Sequence, residues 1–146
     1  MLQEQLNFLW ASKVLDYDFD MLSNKISFRL QTIDNKEENE YILVFNKVSI
    51  WYFINNISLS RKDIFEVEKG EYLEFTSIGF LKNAKIRLES FEKDWIKEYN
   101  GNGNICIEIW SKLLIIEASS VTLNEVEYPL ECYETNVSEK IQEMNR

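Results

Sequence analysis

Apolar residues recur at every second position over short stretches, and polar pairs break the runs. That pattern constrains the fold more than anything else in this chain. Over residues 14–21, Leu15, Tyr17, Phe19 and Met21 alternate with Asp16, Asp18 and Asp20. Successive side chains of a strand point to opposite faces, so the segment reads as a strand with one wet face. Ser23-Asn24 supplies a turn, after which Ile26, Phe28 and Leu30 alternate with Ser27, Arg29 and Gln31, completing a hairpin. Residues 34–39 read as a charged loop. Residues 41–54 are apolar on both faces, which predicts a strand covered on both sides and bent near Asn46-Lys47. Trp51-Tyr52-Phe53 falls in this run and is read as core, with a ligand-stacking or interface patch as the alternative.

Two short strands are expected at 64–67 and 72–78, with Gly70 at the turn between them. Helical spacing appears at both ends of the chain and once inside it. Leu2, Leu6, Leu9 and Trp10 predict a short N-terminal helix. Leu88, Phe91, Trp95 and Tyr99 fall on one helical stripe, with Ser90 as N-cap, and predict a second helix up to Asn100-Gly101. Asn100-Gly101-Asn102-Gly103-Asn104 reads as a loop, since its two glycines do not match a phosphate-cradling motif. Residues 105–110, 113–118 and 121–126 then suggest an antiparallel meander. A last helical turn is expected from Asn136, with Glu139 completing a capping box.

The expected fold is therefore mainly β (α+β): an antiparallel sandwich or open barrel of about eight short strands with one or two packed helices. Regular βα alternation, the mark of a parallel sheet, is absent. The 146 residues fit a single domain spanning 1–146, with 131–146 as a flexible or helical tail.

Composition narrows the function classes. The chain has 25 acidic and 16 basic residues, a net charge of −9 that disfavours nucleic acid and anionic membrane as partners. No signal-peptide pattern or long apolar run occurs, so the expected location is cytoplasmic. The wealth of Asn, Ile, Lys and Glu fits an AT-rich bacterial genome. Cys106 and Cys132 are too few for a disulfide framework, and Cys106 alternates with isoleucines as a buried thiol would.

Histidine is absent altogether. That removes histidine-activated nucleophiles, histidine general bases and histidine metal sites. No phosphate-binding loop, dinucleotide fingerprint or nucleophile elbow is present. No catalytic residue, metal ligand or cofactor is assigned, and the chain is read as not an enzyme. Carboxylates remain. Asp16, Asp18 and Asp20 open like a calcium loop, but the sixth position is Met21 and the twelfth is Ser27, where such a loop needs Gly and Glu. They are read as a solvated strand face or a patch for a basic partner. Glu66, Glu68, Glu71 and Glu74 form a second acidic cluster with the same two readings.

Three stretches resemble the YxiG-like small bacterial proteins. They are Ser12-Lys13-Val14-Leu15-Asp16 at the entry to the first hairpin, Leu43-Val44-Phe45-Asn46-Lys47-Val48 in the middle, and 113–121 near the end. Related chains often carry a His-Asp pair at the entry to the first hairpin, and this chain has no His. Several members of that group look like immunity proteins encoded beside polymorphic toxins, so the resemblance implies a non-enzymatic role. Three functions stay open. One is a binding protein, such as an immunity protein that masks a basic toxin with an acidic surface. The others are a small-molecule binder or carboxylate enzyme with a cavity in its β core, and a homo-oligomeric structural subunit.

Overall fold

A computed structural model of the chain describes residues 2–34, 36–57, 72–93 and 98–130. The expected 64–67 strand, the Gly70 turn, Glu66, Glu68, Glu71, Cys132 and the helical turn at Asn136 lie outside the described residues. Among these residues, ten strands form two antiparallel sheets with one short helix, arranged as an open sandwich and not a closed barrel. In chain order they are α1 (Leu2–Asn7), β1 (Ser12–Asp20), β2 (Lys25–Asp34), β3 (Glu37–Asn46), β4 (Ile50–Ile54), β5 (Leu73–Phe75), β6 (Ser77–Glu89), β7 (Glu98–Ile109), β8 (Lys112–Glu117), β9 (Ser120–Leu123) and β10 (Val126–Pro129). The six-stranded sheet runs β10-β9-β3-β2-β1-β5 and the four-stranded sheet β4-β8-β7-β6.

Alternation builds the core between them. Ile26, Phe28 and Leu30 of β2 and Leu43 and Phe45 of β3 turn inward from one sheet. Ile105, Ile107, Leu114 and Ile116 turn inward from the other. Leu6 and Leu9 add two fully buried side chains from α1 and the turn after it. Removing a leucine-sized side chain from water stabilises by about 1.5–3 kcal/mol, so these residues supply the main driving force.

Several expectations are corrected. The apolar run 41–54 is two strands in different sheets, and the chain crosses over at Lys47, whose φ is 49°. Most of the charged loop expected at 34–39 is strand, because β2 and β3 stay paired out to Asp34 opposite Glu37. In the helix expected over Ser90–Tyr99, the described residues 90–93 are not helical and Glu98 and Tyr99 are strand. Leu88 lies in β6 and Tyr99 in β7, and the two are cross-strand partners, so the hairpin brings them together. Phe91 is exposed and Trp95 lies outside the described residues.

The Asn-Gly repeat at 100–104 belongs to β7 and is not a loop. The far half of the β6–β7 hairpin leans across β8 and β4. A Cβ on Gly101 would collide with Ile50 Cδ1, and one on Gly103 with Ile115 Cγ2. Glycine is present because another element's side chain occupies the space of its missing Cβ. Asn104, at the same place, is buried. Its side chain donates to Ala118 O (2.9 Å) and accepts from Ala118 N (3.2 Å), holding the point where the chain leaves β8 for β9.

The outer edge of β6 is covered at its start. Gln3 accepts from Phe80 N (3.2 Å) and donates to Ile78 O (3.3 Å), and Trp10 Nε1 also donates to Ile78 O (3.0 Å). α1 thereby occupies hydrogen-bonding positions that an added strand would take.

Candidate functional site: an aromatic cleft between the sheets

Phase in β1 decides where its side chains go. The register shifts between Val14 and Asp16, leaving Leu15 as the extra residue of a bulge. Beyond it, Tyr17 opposes Phe28 and Phe19 opposes Ile26 on the inward side. Leu15 is therefore out of phase with Tyr17 and Phe19, and Met21 sits exposed in the following turn, contrary to the single apolar face expected over 15–21.

Asp16, Asp18 and Asp20 do share the outward face. Arg29, Ser27 and Lys25 stand opposite them in register on β2. The ladder is thus set among cations, although among the described residues no ion pair joins it to them. Asp20 accepts from the backbone N–H groups of Leu22 (3.0 Å) and Ser23 (3.1 Å). The Ser23 hydroxyl first, and then these N–H groups, hold its carboxyl below the ordinary 3.8. Glu74 lies on β5 opposite Lys13. The structure does not bring Glu74 together with Asp16, Asp18 or Asp20 as neighbours, since Lys13 and the bulge at Leu15 intervene. No group of three or more acidic or cysteine side chains among the described residues is placed to hold a metal ion.

The concave feature lies on the inward side. Where β1 and β5 of one sheet face β4, β7 and β8 of the other, the sandwich leaves a cleft of about 330 Å³. Volumes of that order suit small organic ligands. Five rings line it: Tyr17, Phe19, Phe28, Trp51 and Phe53. Phe19 bridges the sheets, its ring centroid 5.0 Å from that of Trp51 and 6.3 Å from that of Phe28. Tyr17 extends the row, edge-on to Phe19 at 6.1 Å. Trp51 and Phe53 are 47% and 48% exposed, so the core role expected for them is corrected: they form an open wall. Tyr52, on the opposite face of β4, is also 48% exposed.

Lys112 is the one charged side chain among the lining residues. It pairs with Ile109, whose side chain is buried inward, so strand alternation turns it into the cleft. Its ammonium donates to Asn55 Oδ1 and lies 6.0 Å from the Phe53 ring centroid. Alternation sends Glu108 and Glu117 to the other face, where Glu117 accepts from Ser49 Oγ (2.6 Å) and from Asn102 N. Cys106 lies on that outer face as well, half-buried, and burial first and then Glu108 push its thiol above the ordinary 9.0. Sequence reasoning found Trp51 and Phe53 as an aromatic pair but had no signal for Lys112, because only strand pairing places it beside them.

No helix among the described residues is long and apolar enough to cross a membrane. No curated protein and no solved structure matches the chain. The family model described as YxiG-like protein matches residues 2–128, which is all of the fold from α1 to β10 short of its last residue. The chain belongs to the YxiG-like family.

Proposed function

We propose that this protein is a non-catalytic binding protein whose ligand enters the aromatic cleft between the sheets. The observation that carries this reading is the open wall of Tyr17, Phe19, Trp51 and Phe53 around about 330 Å³. Half-exposed aromatic rings in a concavity lose little side-chain entropy on binding and offer large apolar faces, so a ligand gains most there. Nucleophile and base pairs are missing from the lining, which supports binding over turnover. Nuclear magnetic resonance with small neutral aromatic fragments tests it. Binders are expected to shift the Trp51 indole N–H and the Tyr17 and Phe19 rings, and Trp51→Ala should weaken them about tenfold or more. Fragments that bind without perturbing any of these three residues would remove the proposal.

A second reading rests on a separate observation. Asp16, Asp18 and Asp20 share one outward face and make no ion pair with Lys25 or Arg29, which supports a negative strip for a basic protein, as an immunity protein would meet a toxin. Such a complex would weaken steeply with salt. A partner captured at low salt should be lost from the triple variant Asp16→Asn, Asp18→Asn, Asp20→Asn. Equal capture by that variant would rule out this face.

A further inference from the structure

We infer that the cleft selects small aromatic molecules bearing an anionic group, which Lys112 receives at one end; this rests on the cleft being the binding site. Three observations converge. The first is shape and surface. A volume of about 330 Å³ is roughly twice the ~150 Å³ that admits one benzene-sized ring. The rings around it stand at differing tilts, 42° between Phe19 and Trp51 and 82° between Phe19 and Phe28. A flat aromatic guest can stack on one wall and meet the edge of another.

The second observation is charge. The chain as a whole carries −9, which by itself repels anions. That field is screened beyond about 8–10 Å at physiological salt, so the nearest groups decide. Inside the cleft the nearest charged group is Lys112, and among the described residues no carboxylate pairs with it. Glu108 of β7 and Glu117 of β8 do not neutralise it either, because they project from the opposite face of the sheet. An ammonium at the end of an apolar cavity interacts more strongly with an anion than one in open water.

The third is how that charge is held. Asn55 Oδ1 accepts from Lys112, a neutral partner that fixes the ammonium without cancelling its charge. An ammonium carries three donors, so a ligand carboxylate can accept from it as well, whereas a neutral hydrocarbon cannot.

The decisive experiment titrates the full chain calorimetrically, at low ionic strength, with naphthoate, its neutral amide and naphthylmethylammonium, three probes sharing one ring system. Naphthoate is expected to bind about tenfold tighter than the amide, and the cation weakest, because a hydrogen bond to a charged group contributes more than a neutral one. Lys112→Met should erase the difference between naphthoate and the amide, chiefly by weakening naphthoate. Lys112→Arg should retain the order. Equal binding of the three probes, or an anion preference that survives in Lys112→Met, would overturn the assignment of Lys112 while leaving the cleft as the site. Failure of all three to bind would overturn both. Circular dichroism of each variant separates loss of binding from loss of fold.

Discussion

Two residues show how local geometry becomes a measurable property. Asp20 closes the β1–β2 turn by accepting from Ser23 and Leu22, which stabilises its charged form and holds its pKa below 3.8. A group depressed in the folded state contributes stability above its unfolded pKa, and that contribution is lost as pH falls through the folded value. Asp20→Asn should therefore be less stable than the parent at neutral pH, and the gap should close below pH 3.8, as urea melts across that range would show. Gly103 tests packing instead of charge. Its alanine variant would place a Cβ against Ile115 Cγ2, a branch with little freedom to move on a strand. A loss of about 1–3 kcal/mol is expected in chemical denaturation. Replacing Ile115 by Leu removes the Cγ2 branch, so the double variant Gly103→Ala, Ile115→Leu should recover roughly 1 kcal/mol relative to additivity. Additive losses would mean that the glycine is required for another reason.

Elements were legible wherever a strand had one wet face and one dry face. The hairpin of β1 and β2, the outward aspartates and the β7–β8 hairpin all follow from period two, but β9, expected as the third strand of an antiparallel meander, crosses to the other sheet and pairs with β3. What failed was anything set by a partner strand. Leu88, Phe91, Trp95 and Tyr99 carry helical spacing, yet Leu88 and Tyr99 are opposed across a hairpin, and spacing along the chain cannot report pairing across it. The run 41–54 hid a change of sheet because apolar residues continue on both sides of Lys47. The cleft was invisible for the same reason: its lining comes from six strands, β1, β2, β4, β5, β7 and β8. Turns carry their own lesson. The chain has only four glycines, and Gly79, Gly101 and Gly103 are spent inside strands. Left-handed turn positions are filled by other residues, including Asn124 (φ 45°) and Glu125 (φ 72°) between β9 and β10. Asn124 is well suited, since its Oδ1 also accepts from Ile42 N at 2.8 Å. Glu125 has no such compensation in the β9–β10 turn, where two positive φ values favour Asn-Gly. Glu125→Gly should raise stability by roughly 0.5–1 kcal/mol, read as a higher denaturation midpoint with an unchanged slope.

At the scale of the molecule, the chain changes sheet four times, and three of the crossings lie wholly among the described residues. These three run from β3 to β4, from β5 to β6 at Thr76, and from β8 to β9 at Ala118-Ser119. Each of them is held by a backbone hydrogen bond to a strand of the sheet it enters. Ser49 N donates to Glu117 O, Thr76 N to Glu108 O, and Ser119 N to Asn46 O. Neither sheet buries its inner face alone, and neither is a continuous piece of chain: β4 and β6 to β8 of one are interleaved in sequence with β3, β5 and β9 of the other. A sheet cannot therefore melt while its partner stays folded without breaking the crossings and exposing Phe28, Phe45, Ile105 and Leu114 together. Unfolding should be a single cooperative transition. Hydrogen exchange in increasing denaturant is expected to release the central amides of β2 and of β7 at one common midpoint, coincident with the loss of far-ultraviolet dichroism. Folding should be slow for the chain's size, in the millisecond-to-second range typical of sandwiches, because most pairings join distant residues, such as Phe45 with Val121 and Trp51 with Ile116. An aromatic anion bound in the cleft contacts β1 and β2 from one sheet and β4 and β8 from the other, so it should raise that common midpoint without splitting it. Separate midpoints for β2 and β7, with ligand moving only one, would show that the sheets hold together less tightly than their crossings require.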